Sequence, residues 1–268
     1  AVKRGLATLR ATIDGALDAP LASRAFDLAV GAALCCRNGR RSTPLHAAAI
    51  SGDEAAAELL LDLGASPRLK DAKGCQPLHR ALWFGHEAVV RLLLQRYTLP
   101  GAALHGLSLH EANHALERPL YIAALRGHPR CVELLLQQQG GGSILEDVEY
   151  CDGYSPLHAA CINKNITIID ALLAAGFSPD SPNKYGQTPL HLAASGSCRL
   201  DHQLAAVERL LLAGADATLA DERGLTPALV AKAHGRDEVF EVLKTAAPAA
   251  AEGDGGKKKG RRRRGGPR

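Results

Sequence analysis

A four-residue phrase returns along this chain: Thr43-Pro44-Leu45-His46, Gln76-Pro77-Leu78-His79, Ser155-Pro156-Leu157-His158 and Thr188-Pro189-Leu190-His191. The steps from Thr43 to Gln76 and from Ser155 to Thr188 are both 33 residues. A fixed period of that size means one supersecondary unit stacked many times, each copy touching only its neighbours. Such an array has no single centre, so its function is expected along a shared surface, and binding is expected before catalysis.

Each phrase reads as a helix start. Thr or Ser at the N-cap accepts a hydrogen bond from an orphan amide, and Pro at the first helical position gives up an N–H that had no partner. Small residues follow, as in Ala47-Ala48-Ala49, Ala123-Ala124, Ala159-Ala160 and Ala193-Ala194, and then Gly52, Gly85, Gly127 or Gly235 reverses the backbone. A second helix carries apolar residues at helical spacing, as in Val89-Val90-Arg91-Leu92-Leu93-Leu94 and Val207-Glu208-Arg209-Leu210-Leu211-Leu212. It stops at Gly64, Gly176 or Gly214, and a polar stretch with Asp71 or Asp221 leads to the next cap.

This pattern resembles the ankyrin repeat, T-P-L-H-x-A-A-x-x-G-H-x-x-V-V-x-x-L-L-x-x-G-A-D over about 33 residues, and the match covers residues 42–244. The resemblance implies an all-α, curved solenoid of helix-turn-helix units, with hairpin loops projecting like fingers and first helices lining a concave surface that grips partner proteins. Six repeats are expected, with caps at Thr43, Gln76, Arg118, Ser155, Thr188 and Thr226. Gly31-Ala32 lies 33 residues before Gly64-Ala65, so residues 1–41 are expected to hold a degenerate first repeat or N-terminal cap. Longer steps of 42, 37 and 38 residues imply insertions near 97–117, 137–149 and 197–203.

Departures from the pattern fall in particular units. Gln76 and Arg118 are poorer caps, Tyr121 stands where His is expected, Tyr97 replaces a helix-ending Gly, and Lys164 replaces the reversal Gly. The second, third and fourth units are therefore expected to be locally irregular. The sixth unit, with Lys232, Arg236 and Asp237, reads as a solvent-facing terminal repeat.

Charge separates the array from its tail. Residues 245–268 hold eight basic and two acidic side chains, and taking this +6 from the chain's +4 leaves −2 for the remainder. A surface so close to neutrality does not present a nucleic-acid groove, which points the solenoid towards protein. The tail itself, expected to be disordered, carries Lys257, Lys258, Lys259, Arg261, Arg262, Arg263 and Arg264. Such a run suits a nuclear localisation signal, a phosphate contact to nucleic acid, or attachment to anionic lipid. Seven cysteines without a C-x-x-C pair read as reduced thiols of an intracellular protein, in cytoplasm or nucleus. No apolar run of about 18 residues and no signal-peptide pattern is present. The absence of Met leads to the expectation of a processed, trimmed or partial product with flanking segments elsewhere.

Two sets of residues compete for a functional role. Where the family usually carries polar residues after the small residues of the first helix, this chain has Ile50-Ser51, Trp83-Phe84, Leu125-Arg126 and Ile162-Asn163. On the geometry implied by the resemblance, Ile50, Trp83, Phe84, Leu125, Arg126, Ile162 and Asn163 form a partner-binding strip on the concave face. Buried by a partner, aromatic anchors of this kind contribute about 2 kcal/mol or more. The rival is His110-Glu111-Ala112-Asn113-His114, an H-E-x-x-H phrase that on a helix places two imidazoles beside a general base. It falls in an expected insertion, and its one conceivable third ligand, Glu133, lies in a repeat helix, so the expectation is a partly helical loop with no metal and no cofactor.

The repeating His46, His79, His158 and His191 are read as structural, since the family implies a bridge from the cap hydroxyl to neighbouring backbone. The positions matching the family's hydroxylated Asn hold Arg68, Asp180 and Thr218. The resulting expectation is a non-enzymatic, monomeric adaptor or scaffold that binds a protein partner. The alternatives are a substrate-recognition subunit of a ubiquitin ligase, for which no recruiting box is recognisable after Lys244, and a nucleic-acid-associated protein using the basic tail.

Overall fold

The computed structural model describes residue 39 and residues 41–98, 111–138, 151–195 and 200–246. The first unit expected within residues 1–41, most of the 137–149 insertion, His110 and the basic tail lie outside them. Twelve α-helices and one 3-10 turn, Cys151–Gly153, make up the regular structure among the described residues. The helices come in six pairs: α1 Pro44–Ser51 with α2 Glu54–Asp62, α3 Pro77–Phe84 with α4 Glu87–Thr98, and α5 Pro119–Arg126 with α6 Pro129–Gln138. Then follow α7 Pro156–Asn163 with α8 Ile166–Ala174, α9 Pro189–Ala194 with α10 Leu200–Leu212, and α11 Pro227–Ala233 with α12 Asp237–Ala246.

Each first helix packs on the first helix of the next pair, and each second helix on the next second helix, so the pairs form two parallel rows. Between the rows lie Leu45, Leu78, Leu120, Leu157 and Leu190 from the recurring phrase, all buried. They meet Val90, Leu93, Val132, Leu135, Ile169, Leu172, Val207 and Leu210 from the second row. Most Ala residues of the first row, such as Ala49, Ala81, Ala123, Ala160 and Ala193, are buried, and a methyl side chain allows the helices to approach closely. No pair could hide its leucines alone, which is why the period of the sequence becomes the architecture of the fold.

Between the two helices of a pair the chain reverses through left-handed backbone at Gly52, Gly85 and Gly127, with φ of 73°, 75° and 75°. A Cβ on Gly52 or Gly85 would come within 2.5 Å of the His86 or His128 ring, so sterics and conformation demand Gly there together. Lys164 occupies the same place with φ 50°. Its buried side chain donates from Nζ to the Ser195 carbonyl at 2.9 Å, a use no Gly could supply.

Three irregularities take a form that the sequence pattern did not reveal. With Tyr97 in place of a stopping Gly, α4 runs to Thr98 and is 12 residues long, against 9 in α2. Part of the insertion expected near 197–203 is a helical extension, since Leu200–Gln203 opens the 13-residue α10. Gln203 is fully buried and caps the short α9 by donating from Nε2 to the Ala194 carbonyl at 2.8 Å. Residues 111–117, expected to close another insertion, form a finger hairpin like those at 71–75, 183–187 and 221–225.

Candidate partner-binding surface

The phrase histidines stitch successive units together. In His46, His158 and His191 the Nδ1 atom accepts from the cap backbone N–H at 3.1–3.2 Å and lies 2.8–2.9 Å from the cap hydroxyl. With Nδ1 accepting, the proton sits on Nε2, which donates at 2.9 Å to the carbonyl of Cys75, Gln187 or Leu225 in the next finger. Burial pushes His79 and His158 down to about 4 and lowers His191, holding the rings in the neutral form that this geometry needs.

The fingers share one design. An Asp or Asn accepts from two backbone N–H groups of its own hairpin: Asp71 from Lys73 and Cys75, Asn113 from Ala115 and Glu117, Asn183 from Tyr185 and Gln187, Asp221 from Arg223 and Leu225. Burial opposes ionisation of Asp71, but Arg80 and the two N–H groups outweigh it and hold the carboxyl below the usual range. Adjacent fingers are joined by single backbone bonds, His114 N–H to Lys73 O, Lys184 N–H to Asp152 O and Glu222 N–H to Tyr185 O.

This design removes the H-E-x-x-H reading and corrects the expected partly helical loop. Glu111 to His114 are not helical, and Glu111 is a strut. Its carbonyl accepts from His79 Nε2 at 2.9 Å, and its carboxylate binds Gln76 Nε2 at 2.9 Å and Lys70 Nζ at 3.0 Å. Asn113 is buried and sets the hairpin. Glu133 pairs with Arg130 on its own helix at 2.8 Å. Among the described residues no three His, Cys, Asp or Glu side chains converge as metal ligands would. Cys75, Cys131 and Cys161 are buried free thiols, and burial raises all three, Cys131 to about 11, so they are poor nucleophiles.

The residues singled out for partner binding all lie at the C-terminal ends of first helices, in register from unit to unit. Ile50, Phe84 and Ile162 expose 39%, 48% and 44% of their surface; Ile50 and Ile162 hold equivalent places in α1 and α7, and Phe84 lies one residue further along in α3, next to Trp83 at the equivalent place. Trp83 is half-buried against the core, and the Arg126 guanidinium stacks 3.2 Å from the centroid of its ring. Leu125 is likewise half-buried, and Asn163, although exposed, spends its amide on the Leu125 carbonyl. Of the seven expected strip residues, Ile50, Trp83, Phe84, Arg126 and Ile162 therefore present surface for contact, while Leu125 and Asn163 are engaged with each other.

Sequence reasoning missed the braces. His86 donates from Nε2 to the Ile50 carbonyl at 2.9 Å, and His128 does the same to Trp83 at 3.4 Å. Each lies directly after a reversal Gly and reaches back under the strip of the preceding unit. The repeated dipeptides Gly85-His86 and Gly127-His128 were the available signal.

Comparison with known proteins agrees with this architecture. The family of ankyrin repeats in three copies matches residues 22–103, 101–181 and 120–203, and the single ankyrin repeat matches 185–222. The chain belongs to the ankyrin repeat family. It is 29% identical over 216 residues to the B-cell lymphoma 3 protein homolog of Mus musculus, covering 81% of this chain and 45% of that protein. It is 37% identical over 120 residues to the ankyrin repeat and SOCS box protein 11 of Danio rerio, covering 45% and 38%. The crystal structure of the ankyrin repeat domain of Bcl-3 superposes with a TM-score of 0.66 at 27% identity, covering 88% of this chain and 97% of that one. The chain spans less than half the length of these two curated relatives. Among the described residues no helix is long and apolar enough to cross a membrane.

Proposed function

We propose that this ankyrin repeat chain is a non-enzymatic adaptor or scaffold that holds a partner protein on the concave strip centred on Trp83, Phe84 and Arg126. The observation that carries this reading is the exposure of Ile50, Phe84 and Ile162 at the C-terminal ends of three first helices of the same row. Phrase histidines, finger carboxylates and buried leucines each have a partner inside the array, whereas these side chains gain burial only from something outside it. A half-buried indole under a guanidinium, with exposed apolar side chains on the same row of helices, is the composition that interface centres favour. The run from Lys257 to Arg264 lies beyond the described residues and is assigned a separate part, nuclear import.

Affinity capture with the intact chain and with a Trp83→Ala, Phe84→Ala double variant tests the adaptor reading. Partners held by the wild type are expected to be lost from the variant, with a thermal midpoint within about 4 °C of wild type. Retention of every partner by a folded variant would move the interface elsewhere.

A further inference from the structure

Resting on that reading of the strip, we propose that the segment it holds is an extended peptide that seats one carboxylate side chain, Asp or Glu, on Arg126, between apolar residues lying on either side. Arg126 is exposed, and one face of its guanidinium lies on the Trp83 ring. Stacking leaves the in-plane N–H donors directed outward, the arrangement that takes a carboxylate through two parallel hydrogen bonds. Among the described residues no carboxylate pairs with Arg126. The neighbouring cations are engaged: Arg80 binds Asp71, and Lys164 is buried with its ammonium on the Ser195 carbonyl. The centre of the strip therefore offers a single outward charge, with Phe84 before it and Ile162 after it. One charge flanked by apolar surface matches a carboxylate; a phosphate, carrying about −1.5 to −2, calls for more cations than this site presents.

Spacing limits the conformation of the segment. Helices α3, α5 and α7 pack in succession, and packed helix axes lie about 8–10 Å apart. A polyproline-type chain rises about 3.1 Å per residue with three residues per turn, which returns a side chain to the same face every 9 Å or about that. One residue in three thus meets each successive repeat: an apolar residue at Trp83 and Phe84, the carboxylate at Arg126, an apolar residue at Ile162. Ile50 takes a further apolar residue at the α1 end.

A displayed library of random dodecapeptides, selected on the full wild-type chain and on Arg126→Gln, tests this. Wild-type selections are expected to enrich Asp or Glu three residues from an apolar residue on each side, and Arg126→Gln selections to lose that preference. A synthetic copy of the leading peptide should bind wild type about 10-fold more tightly than its glutamine version, and Arg126→Gln should not tell the two apart. Trp83 is the chain's single Trp, so a change in its emission on binding places the peptide on the strip. Peptides that alter this emission and are lost from the Trp83→Ala, Phe84→Ala variant, yet show no acidic preference, overturn the carboxylate and leave the adaptor reading standing. A phosphoserine version that outbinds the glutamate version also overturns it. Selections that yield no peptide acting on Trp83 remove the proposal and the peptide-holding strip beneath it.

Discussion

The fourth and third units of this array are built from the same helices but joined by different means. In the fourth, Ser155 caps α7, His158 bridges that cap to the Gln187 carbonyl, and Gly153 takes the left-handed turn of the finger at φ 74°. In the third, Arg118 makes no side-chain cap, Tyr121 stands in the His position, and Leu116 takes the left-handed turn at φ 59°. The finger backbone is nevertheless the same, because Asn113 performs there the task that Asp71 and Asn183 perform elsewhere. Main-chain geometry is held by the Asx residue and the helix row, while the cap-and-histidine staple adds a separate layer that one unit can lack. Trp83 and Arg126 face each other across the junction of the second and third units, which His79 still staples to Glu111, so the candidate binding site lies beside the gap in that layer left by Tyr121.

The sharpest way to break the comparison is to remove a leucine from the stapled unit. Leu157 is fully buried, and Leu157→Ala is expected to cost about 2–5 kcal/mol in chemical denaturation, enough to uncouple the units on either side. Between pH 7 and 4.5, acid should act on the staples. Folded His79 and His158 stay neutral down to about pH 4, whereas the unfolded side chains take up protons near 6.5. The unfolded state thus binds more protons between those values, and stability present above about pH 6.5 is lost as pH falls towards 4. Each histidine contributes a slope of up to about 1.4 kcal/mol per pH unit within that window. Denaturation midpoints measured from pH 7 to 4.5 should fall for the wild type and fall less steeply for His158→Gln. An equal slope in both would remove His158 from the staple.

Much of this arrangement was legible in the chain, and what was not has identifiable causes. Period, caps and reversal glycines place the helices, because each depends on one residue type at one position. The exposure of Ile50, Phe84 and Ile162 was legible in a related way: these positions follow the small residues of a first helix, and an apolar residue there stands out against the expected polar one. Glu111 was not legible, since its strut role depends on Lys70, Gln76 and His79, far away in the chain. The extension of α10 was equally hidden, because it rests on Gln203 finding the Ala194 carbonyl at the end of the truncated α9. Arg126 over Trp83 joins side chains that are 43 positions apart in number, and no periodic rule predicts a stack across units.

A gentler change sharpens the contrast from the other direction. Leu116 is 52% exposed and held in left-handed backbone, where a Cβ costs about 1–2 kcal/mol, partly offset by the freedom that Gly loses on folding. Leu116→Gly is expected to stabilise the chain by about 0.5–1 kcal/mol, with slower amide exchange in residues 111–118, while Gly153→Leu in the fourth unit should destabilise it more strongly. A Cβ at Gly153 would meet the Lys184 backbone nitrogen at 2.9 Å, so there the cost is steric as well as conformational.

The smallest stability effect belongs to the strip, and its smallness is what makes it informative. Ile162 exposes 44% of its surface at the end of α7, so Ile162→Ser removes little that the folded array holds and should change stability by about 0.5 kcal/mol or less. The phrase residues four and five places earlier in the same helix, His158 and Leu157, behave in the opposite way because their partners are internal. If Ile162→Ser weakens partner capture while its denaturation midpoint stays with the wild type, one short helix divides its labour by face: the buried side maintains the row, and the exposed end is reserved for contact. A large loss of stability on Ile162→Ser would instead assign that side chain to the row and shrink the strip to the junction of Trp83, Phe84 and Arg126.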